Sequence, residues 1–251
     1  MCYPIVLLLV SATQGLAVER LEETKTILSE AIQPHMVMTT NEIFVVAIQR
    51  GNIVVTSSED GGETFSPAVM AIDVQGRAKG GLHRGPRIGI DAKGVLTVTA
   101  PVTFDDKEYQ KRYPTTDLYF AQSTDNGQSW SKPTRVNSVA KKSPEGLHWM
   151  VVAPGGTVHV AWLDMRMRSS GQDIYLARIV DGKVGENVRV AKEVCECCAP
   201  GLAVDELGNC VLAFREGGGA KSREIFAQFS DAGGEYSKRT QVNTVKTKEH
   251  G

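Results

Sequence analysis

Two stretches decide the fold: "SEDGGETF" at Ser58–Phe65 and "STDNGQSW" at Ser123–Trp130. Each writes Ser-x-Asp-x-Gly-x-Thr/Ser-aromatic straight after an apolar, β-branched run. An Asp carboxylate can accept backbone N–H groups from the residues just after it, closing an Asx-type turn. Gly61 and Gly62, or Asn126 and Gly127, take positive φ at little cost. Ser58 and Thr64, or Ser123 and Ser129, can satisfy the remaining backbone groups. Phe65 or Trp130 can then pin the turn into an apolar layer. Ser58, Asp60, Gly62, Thr64 and Phe65, like Ser123, Asp125, Gly127, Ser129 and Trp130, thus have structural work to do. None of them is assigned chemistry.

The same shape returns in weaker form. "FSDAGGEY" keeps Asp231, Gly233 and Tyr236, and near Asp181 only Asp-Gly survives. Strand–turn–strand segments begin at Pro34, Pro86, His148 and Pro200, a period of roughly 50–60 residues. Each is followed by a third strand: "NIVVTSS", "DLYFAQS", "DIYLARI" and "EIFAQFS". Four strands per unit at this period predict an all-β propeller. The propeller is placed at 33–251, with blades at about 33–72, 83–138, 145–192 and 197–243.

With 251 residues, 41% of them hydrophobic, the chain can bury a real core. A formal charge of -1 supplies no field that would gather nucleic acid or an anionic membrane, so neither partner is expected. "PIVLLLVSA" from Pro4 is too short to span a bilayer, and the small residues after it suit cleavage near Ala17. Residues 1–17 therefore read as a signal peptide and 18–32 as an N-terminal segment. The mature protein is then secreted or periplasmic, with no transmembrane segment. The start, "MCYP", carries no positive charge, and a buried first strand is the competing reading.

Ser/Thr-x-Asp-x-Gly-x-Thr/Ser-Trp/Phe is the Asp box, or bacterial neuraminidase repeat. Its repetition on four-stranded units resembles the sialidase superfamily of β-propellers, over roughly Gln33 to Ser237. That resemblance implies a sialidase-type ring of six blades, of which four are legible here. The chain is accordingly expected to be a fragment of an exported bacterial sialidase-like protein. Asp boxes also occur in glucanases, sorting receptors and assembly factors, so two functions follow. One is an exo-α-sialidase-like glycoside hydrolase acting on terminal sialic or related acidic sugars of a glycan or sialoglycoconjugate. The other is a non-catalytic propeller binding a glycan or protein partner on its top face. No cofactor is expected.

Strand direction places the starts of first strands and the loops after second strands on one rim. That rim collects His35, His83, Arg84, Arg87, Glu145 and His148 from the first set. The second set adds Arg50, Asp105, Asp106, Asp164, Arg166, Arg168, Arg215, Glu216 and Arg223. The resemblance implies three arginines on a sugar carboxylate, whose planar forks suit that group. It also implies an acid/base Asp and a Tyr nucleophile assisted by Glu. Arg87, in "PRIG", matches the family's Arg-Ile-Pro segment with Gly89 in place of the Pro. Asp105 or Asp106 falls where the acid/base would sit. Arg166 and Arg215 follow by blade position, Glu216 is the carboxylate partner, and no Tyr presents itself. His35, His83, Arg84, Glu145 and His148 are candidate substrate-binding residues. The competing reading is that rim charges pair with one another, Asp164 with Arg166 for example.

"CECC" at Cys195–Cys198 lies at a first-strand start. Read as a strand, it sends Cys197 and Cys198 to opposite sides, which favours a disulfide over a metal site. The connectivity stays open, and no metal is assigned.

Overall fold

The computed structural model describes residues 26–81, 83–104, 115–143, 146–167, 172–217, 224–231 and 234–243. The expected signal peptide, together with Asp105, Asp106, Glu145, Arg168, Arg223 and Gly233, lies outside them. Strands β1 (Ala31–Met38), β2 (Ile43–Gln49), β3 (Asn52–Ser58) and β4 (Val69–Ile72) form one antiparallel sheet in sequence order. A second holds β5 (Arg87–Ile90), β6 (Leu96–Phe104), β7 (Thr115–Ser123) and β8 (Thr134–Arg135). In the third, β9 (His148–Val152), β10 (Val158–Asp164) and β11 (Gln172–Val180) are completed by β12 (Lys183–Val184) and β13 (Val188–Val194), both paired with β11. The fourth holds β14 (Gly201–Val204), β15 (Cys210–Arg215), β16 (Ile225–Ser230) and β17 (Thr240–Gln241). Among the described residues there is no α-helix, and no helix long and apolar enough to cross a membrane.

The first strands lie side by side, β1 against β5, β5 against β9, and β9 against β14. The four sheets are therefore consecutive blades of a sialidase-type β-propeller, with first strands innermost. Alternation along each strand feeds two inter-blade layers at once. On β10, Val160 and Trp162 join the layer shared with Leu118, Phe120 and Val136 of the second blade. Ala161 and Leu163 join the layer shared with Leu202, Leu212 and Phe214 of the fourth. Every β10 residue is buried as a result. Between the first two blades the layer holds Phe44, Val46, Ile53 and Val55 against Leu96, Val98 and Ala100.

The Asp-rich turns close as their chemistry dictates. Asp60 Oδ1 accepts from Thr64 N at 2.9 Å and from the Ser58 hydroxyl at 2.8 Å, while Ser58 Oγ accepts from Gly62 N at 2.8 Å. Asp125 repeats this with Ser129 N at 2.9 Å and Ser123 Oγ at 2.7 Å, and Gly127 N donates to Ser123 Oγ. Hydrogen bonds from the Thr64 hydroxyl to Asp60 and from the Ser129 hydroxyl to Asp125 are the largest causes that hold both carboxyls well below the usual carboxylate range, Asp125 at about 2. Trp130 packs on the layer between the first two blades and donates Nε1–H to Gly127 O at 3.1 Å. Phe65 is half-buried but lies outside that layer, so only Trp130 of the two rings anchors its turn there. The expected pinning of Phe65 is corrected to this extent, because the first blade has only its β5-facing side against a described blade. At the third turn Asp231 accepts from Gly234 N at 3.1 Å. Asp181 and Gly182, both at positive φ, make a two-residue hairpin between Val180 and Lys183.

Asp125→Ala removes the acceptor for Ser129 N and frees the Ser123 hydroxyl. The variant is expected to melt at a lower temperature with ligand binding at the rim unchanged. Thermal unfolding and a binding titration on the same sample check this. An unchanged melting point with lost binding would contradict the structural role.

Candidate functional site

First-strand starts pair with positions along the second strands of their own blades. Arg87 pairs with Thr99, His148 with Trp162 and Gly201 with Ala213. In the first blade a register shift between Ile32 and His35, with Gln33 at positive φ, sets His35 opposite Val46. His35 Nδ1 accepts from Ile88 N at 3.2 Å, and its ring stands edge-on to Trp149 at 6.2 Å. Three consecutive innermost strands thereby place His35, Arg87 and Trp149 together.

Arg87 is the charged centre of this cluster. Only 8% exposed, it stacks its guanidinium 4.8 Å from the Trp149 ring centroid. Nη1 donates to Pro86 O at 3.0 Å and Nη2 to His83 O at 3.4 Å, while Nε has no partner. Among the described residues no carboxylate pairs with it. His148 is buried beside it, Nδ1 3.3 Å from Gly146 O and Nε2 3.0 Å from Thr99 Oγ1. A carbonyl can only accept, so Nδ1 carries the proton and Nε2 accepts from the Thr99 hydroxyl. Close packing of β5 on β9 leaves no room for a side chain at Gly89, whose Cβ would meet Val152 Cγ2 at 2.6 Å.

Burial and the nearby Arg87 charge lower His35 to about 4 and His148 to about 3, from 6.5. Both imidazoles are neutral at neutral pH, which leaves Arg87 as the cation. An unfolded chain protonates these histidines near pH 6.5, whereas the folded chain resists until about 4 and about 3. Stability is therefore expected to fall as pH drops through that window. His148→Gln should show a shallower fall in melting temperature between pH 7 and pH 4 than the parent, and equal slopes would refute the assignment.

The other predicted residues keep different company. His83 is exposed and joins the site through its carbonyl, and Arg84 is half-buried next to it. Arg166 is held by Asp164 through Nε–Oδ1 at 3.0 Å and Nη2–Oδ2 at 2.7 Å, with Nη1 on Ser138 Oγ and its plane 4.0 Å over the Tyr175 ring. Arg166 and Arg87 share no partner among the described residues. The rim pair Asp164–Arg166 is thus formed, and the carboxylate that Arg166 binds is internal. Arg215 donates to Cys198 Sγ at 3.8 Å. Glu216 pairs with Arg239 at 3.1 Å. It lines a groove of about 600 Å³ between the third and fourth blades, with Arg189, Lys192, Glu193 and Phe214. That groove contains none of the Arg87 cluster.

Two described tyrosines, Tyr175 and Tyr236, have raised pKa values, burial being the largest cause in each. The sequence reading named no tyrosine for the nucleophile role. That reading missed Trp149, although an aromatic beside His148 in "HWMVV" was its available signal.

The cysteines correct the strand reading outright. Residues 195–198 form a turn, with Cys198 N donating to Cys195 O at 3.4 Å, so the side chains converge instead of diverging. Cys195 and Cys198, in Cys-x-x-Cys spacing, are joined in a disulfide, and Cys197 remains a free, exposed thiol. Cys210 is a second free thiol, buried, its pKa raised by that burial.

No protein-family model matches the chain, and no curated protein matches it. Solved structures do. A Hadza microbial sialidase superposes with TM-score 0.52 at 17% identity, over 79% of this chain and 45% of that one. An α-L-arabinanase of Penicillium chrysogenum, complexed with arabinobiose, gives 0.58 at 14% identity, over 88% and 69%. A leech intramolecular trans-sialidase gives 0.53 at 13% identity, over 86% and 51%. The chain spans about half the length of both sialidases. At these identities the likeness is one of fold, and the fold is the sialidase-type β-propeller.

Proposed function

We propose that this chain belongs to an exported, sialidase-like glycan-recognising propeller that takes a terminal acidic sugar at Arg87. One observation carries the reading: a nearly buried arginine on an innermost strand, without a carboxylate partner among the described residues. Trp149 offers a flat apolar face beside it, and neutral His35 and His148 leave the positive charge unshared. A desolvated cation next to an indole suits a sugar that carries a carboxylate. The sialidases and arabinanase that share the fold act on sugars by their names, which supports a glycan as the ligand class.

Recognition is the function these described residues support best. Hydrolysis in the sialidase manner is the finer reading, with Asp105 or Asp106 as acid/base and Glu216 as the assisting carboxylate. The engagement of Arg166 by Asp164 and of Glu216 by Arg239 favours binding over catalysis. Calorimetric titration with a sialoside and with its methyl ester tests the proposal, and release from a fluorogenic sialoside tests hydrolysis. The free acid should bind at least about tenfold more tightly than the ester. Equal affinities would overturn the acidic-sugar reading.

A further inference from the structure

The turn at Cys195–Cys198 assembles more sulfur than a disulfide needs. The Sγ atoms of Cys195, Cys197 and Cys198 all lie within 4.8 Å of one another, and Cys197 Sγ is 3.6 Å from Cys195 Sγ. A metal–thiolate bond of about 2.3 Å places the sulfurs of a trigonal three-thiolate site about 4.0 Å apart. The turn already holds the three atoms at that scale, and small side-chain rotations would complete the triangle. Its backbone is fixed from outside as well: Cys195 N donates to Arg215 O at 2.9 Å, and Gly217 packs so closely that a Cβ there would meet Cys195 N at 2.5 Å.

We propose that Cys195, Cys197 and Cys198 form a redox-gated site for Cu(I). Three sulfurs and no fourth protein ligand among the described residues suit a soft monovalent d10 ion, which accepts trigonal thiolate coordination. A structural zinc site, by contrast, takes four protein ligands. Three thiolates around a monovalent cation carry net negative charge, and the Arg215 guanidinium, 3.8 Å from Cys198 Sγ, offsets it. Exposed Cys197 gives the ion a way in, while buried Cys195 shields the far side.

The disulfide is the gate. A dithiol reductant delivers two electrons and two protons to the Cys195–Cys198 bond, giving two thiols while the reductant closes to its own disulfide. One Cu(I) then enters as the three thiols release three protons. Reoxidation by an external two-electron acceptor rejoins Cys195 to Cys198 and expels the ion, leaving Cys197 alone.

The test uses the full chain under anaerobic conditions. Reduced and disulfide forms are titrated with Cu(I) against a chromophoric Cu(I) chelator, and the thiolate-to-copper charge-transfer absorption is followed. One equivalent should bind to the reduced chain, and binding should vanish on oxidation and return on reduction. Cys197→Ser, an exposed change that leaves the disulfide pair intact, should weaken binding about a hundredfold or more. Cys210→Ser should leave it unchanged. Equal binding by the oxidised chain, full affinity in Cys197→Ser, loss only in Cys210→Ser, or preference for Zn(II) in a direct competition would each overturn the proposal. Sialoside binding at Arg87 is a separate readout, and it stands or falls independently of this one.

Discussion

Arg87→Ala is expected to weaken binding of a sialoside by about tenfold or more. A charge-assisted bond from a desolvated guanidinium to a carboxylate contributes about 1.5–3 kcal/mol. Arg87→Lys should not restore the affinity. An ammonium lacks the planar fork and would lose its stacking on Trp149, although it keeps the charge. Calorimetry on the parent and both variants reads the effect, with unfolding curves recorded alongside because Arg87 is buried. If both variants fold and bind like the parent, Arg87 is a structural cation and the acidic-sugar site is elsewhere.

Trp162→Ala is expected to cost about 3–5 kcal/mol of stability, the range for deleting a fully buried large aromatic. Trp162 is 0% exposed in the layer between the second and third blades, 6.3 Å from the Tyr175 ring. Its indole N–H also donates to Asp164 Oδ2 at 2.9 Å, and Asp164 in turn holds Arg166. The alanine variant therefore opens a cavity and withdraws one bond from a buried carboxylate. Trp162→Phe keeps most of the volume but loses the hydrogen bond and part of the packing, so a smaller cost of about 1–3 kcal/mol is expected. Denaturant unfolding of the three proteins checks the order. A loss below about 1 kcal/mol in the alanine variant would mean that the layer collapses around the gap.

Much of the blade plan was legible because its signals are local. The Asp-rich turns need particular residues at fixed offsets, and their hydrogen bonds run between residues two to four apart. The hairpin at Arg50–Gly51 is equally local, both residues holding positive φ. Inter-blade packing, by contrast, was seen only in the structure, where β10 is buried on both faces. Phe65 shows the limit of local signals. It has the same place in its motif as Trp130, yet what a turn aromatic meets depends on the neighbouring blade.

The site was legible only in part, since its contacts bridge blades. His35 and Ile88 are joined across 53 positions of sequence, and Thr99 and His148 across 49. A position on the rim could be read from strand direction, whereas the partner waiting there could not. Arg87 and Arg166 look alike in the sequence. One meets two carbonyls and an indole face, and the other is clamped by its neighbour Asp164. At the cysteines the favoured disulfide is present, and only the strand geometry was wrong, because period-two reasoning was applied to residues that form a turn.

The sequence by itself determined the strand runs, their repetition and the structural work of Asp60 and Asp125, since strand runs are written in local residue type and the turn bonds join residues two to four apart. Only the tertiary structure decided which arginine lacks a carboxylate partner among the described residues and which sulfurs meet one another. Those outcomes depend on how adjacent blades and a single turn bring side chains within a few ångströms, a distance that residue type and spacing along the chain do not set.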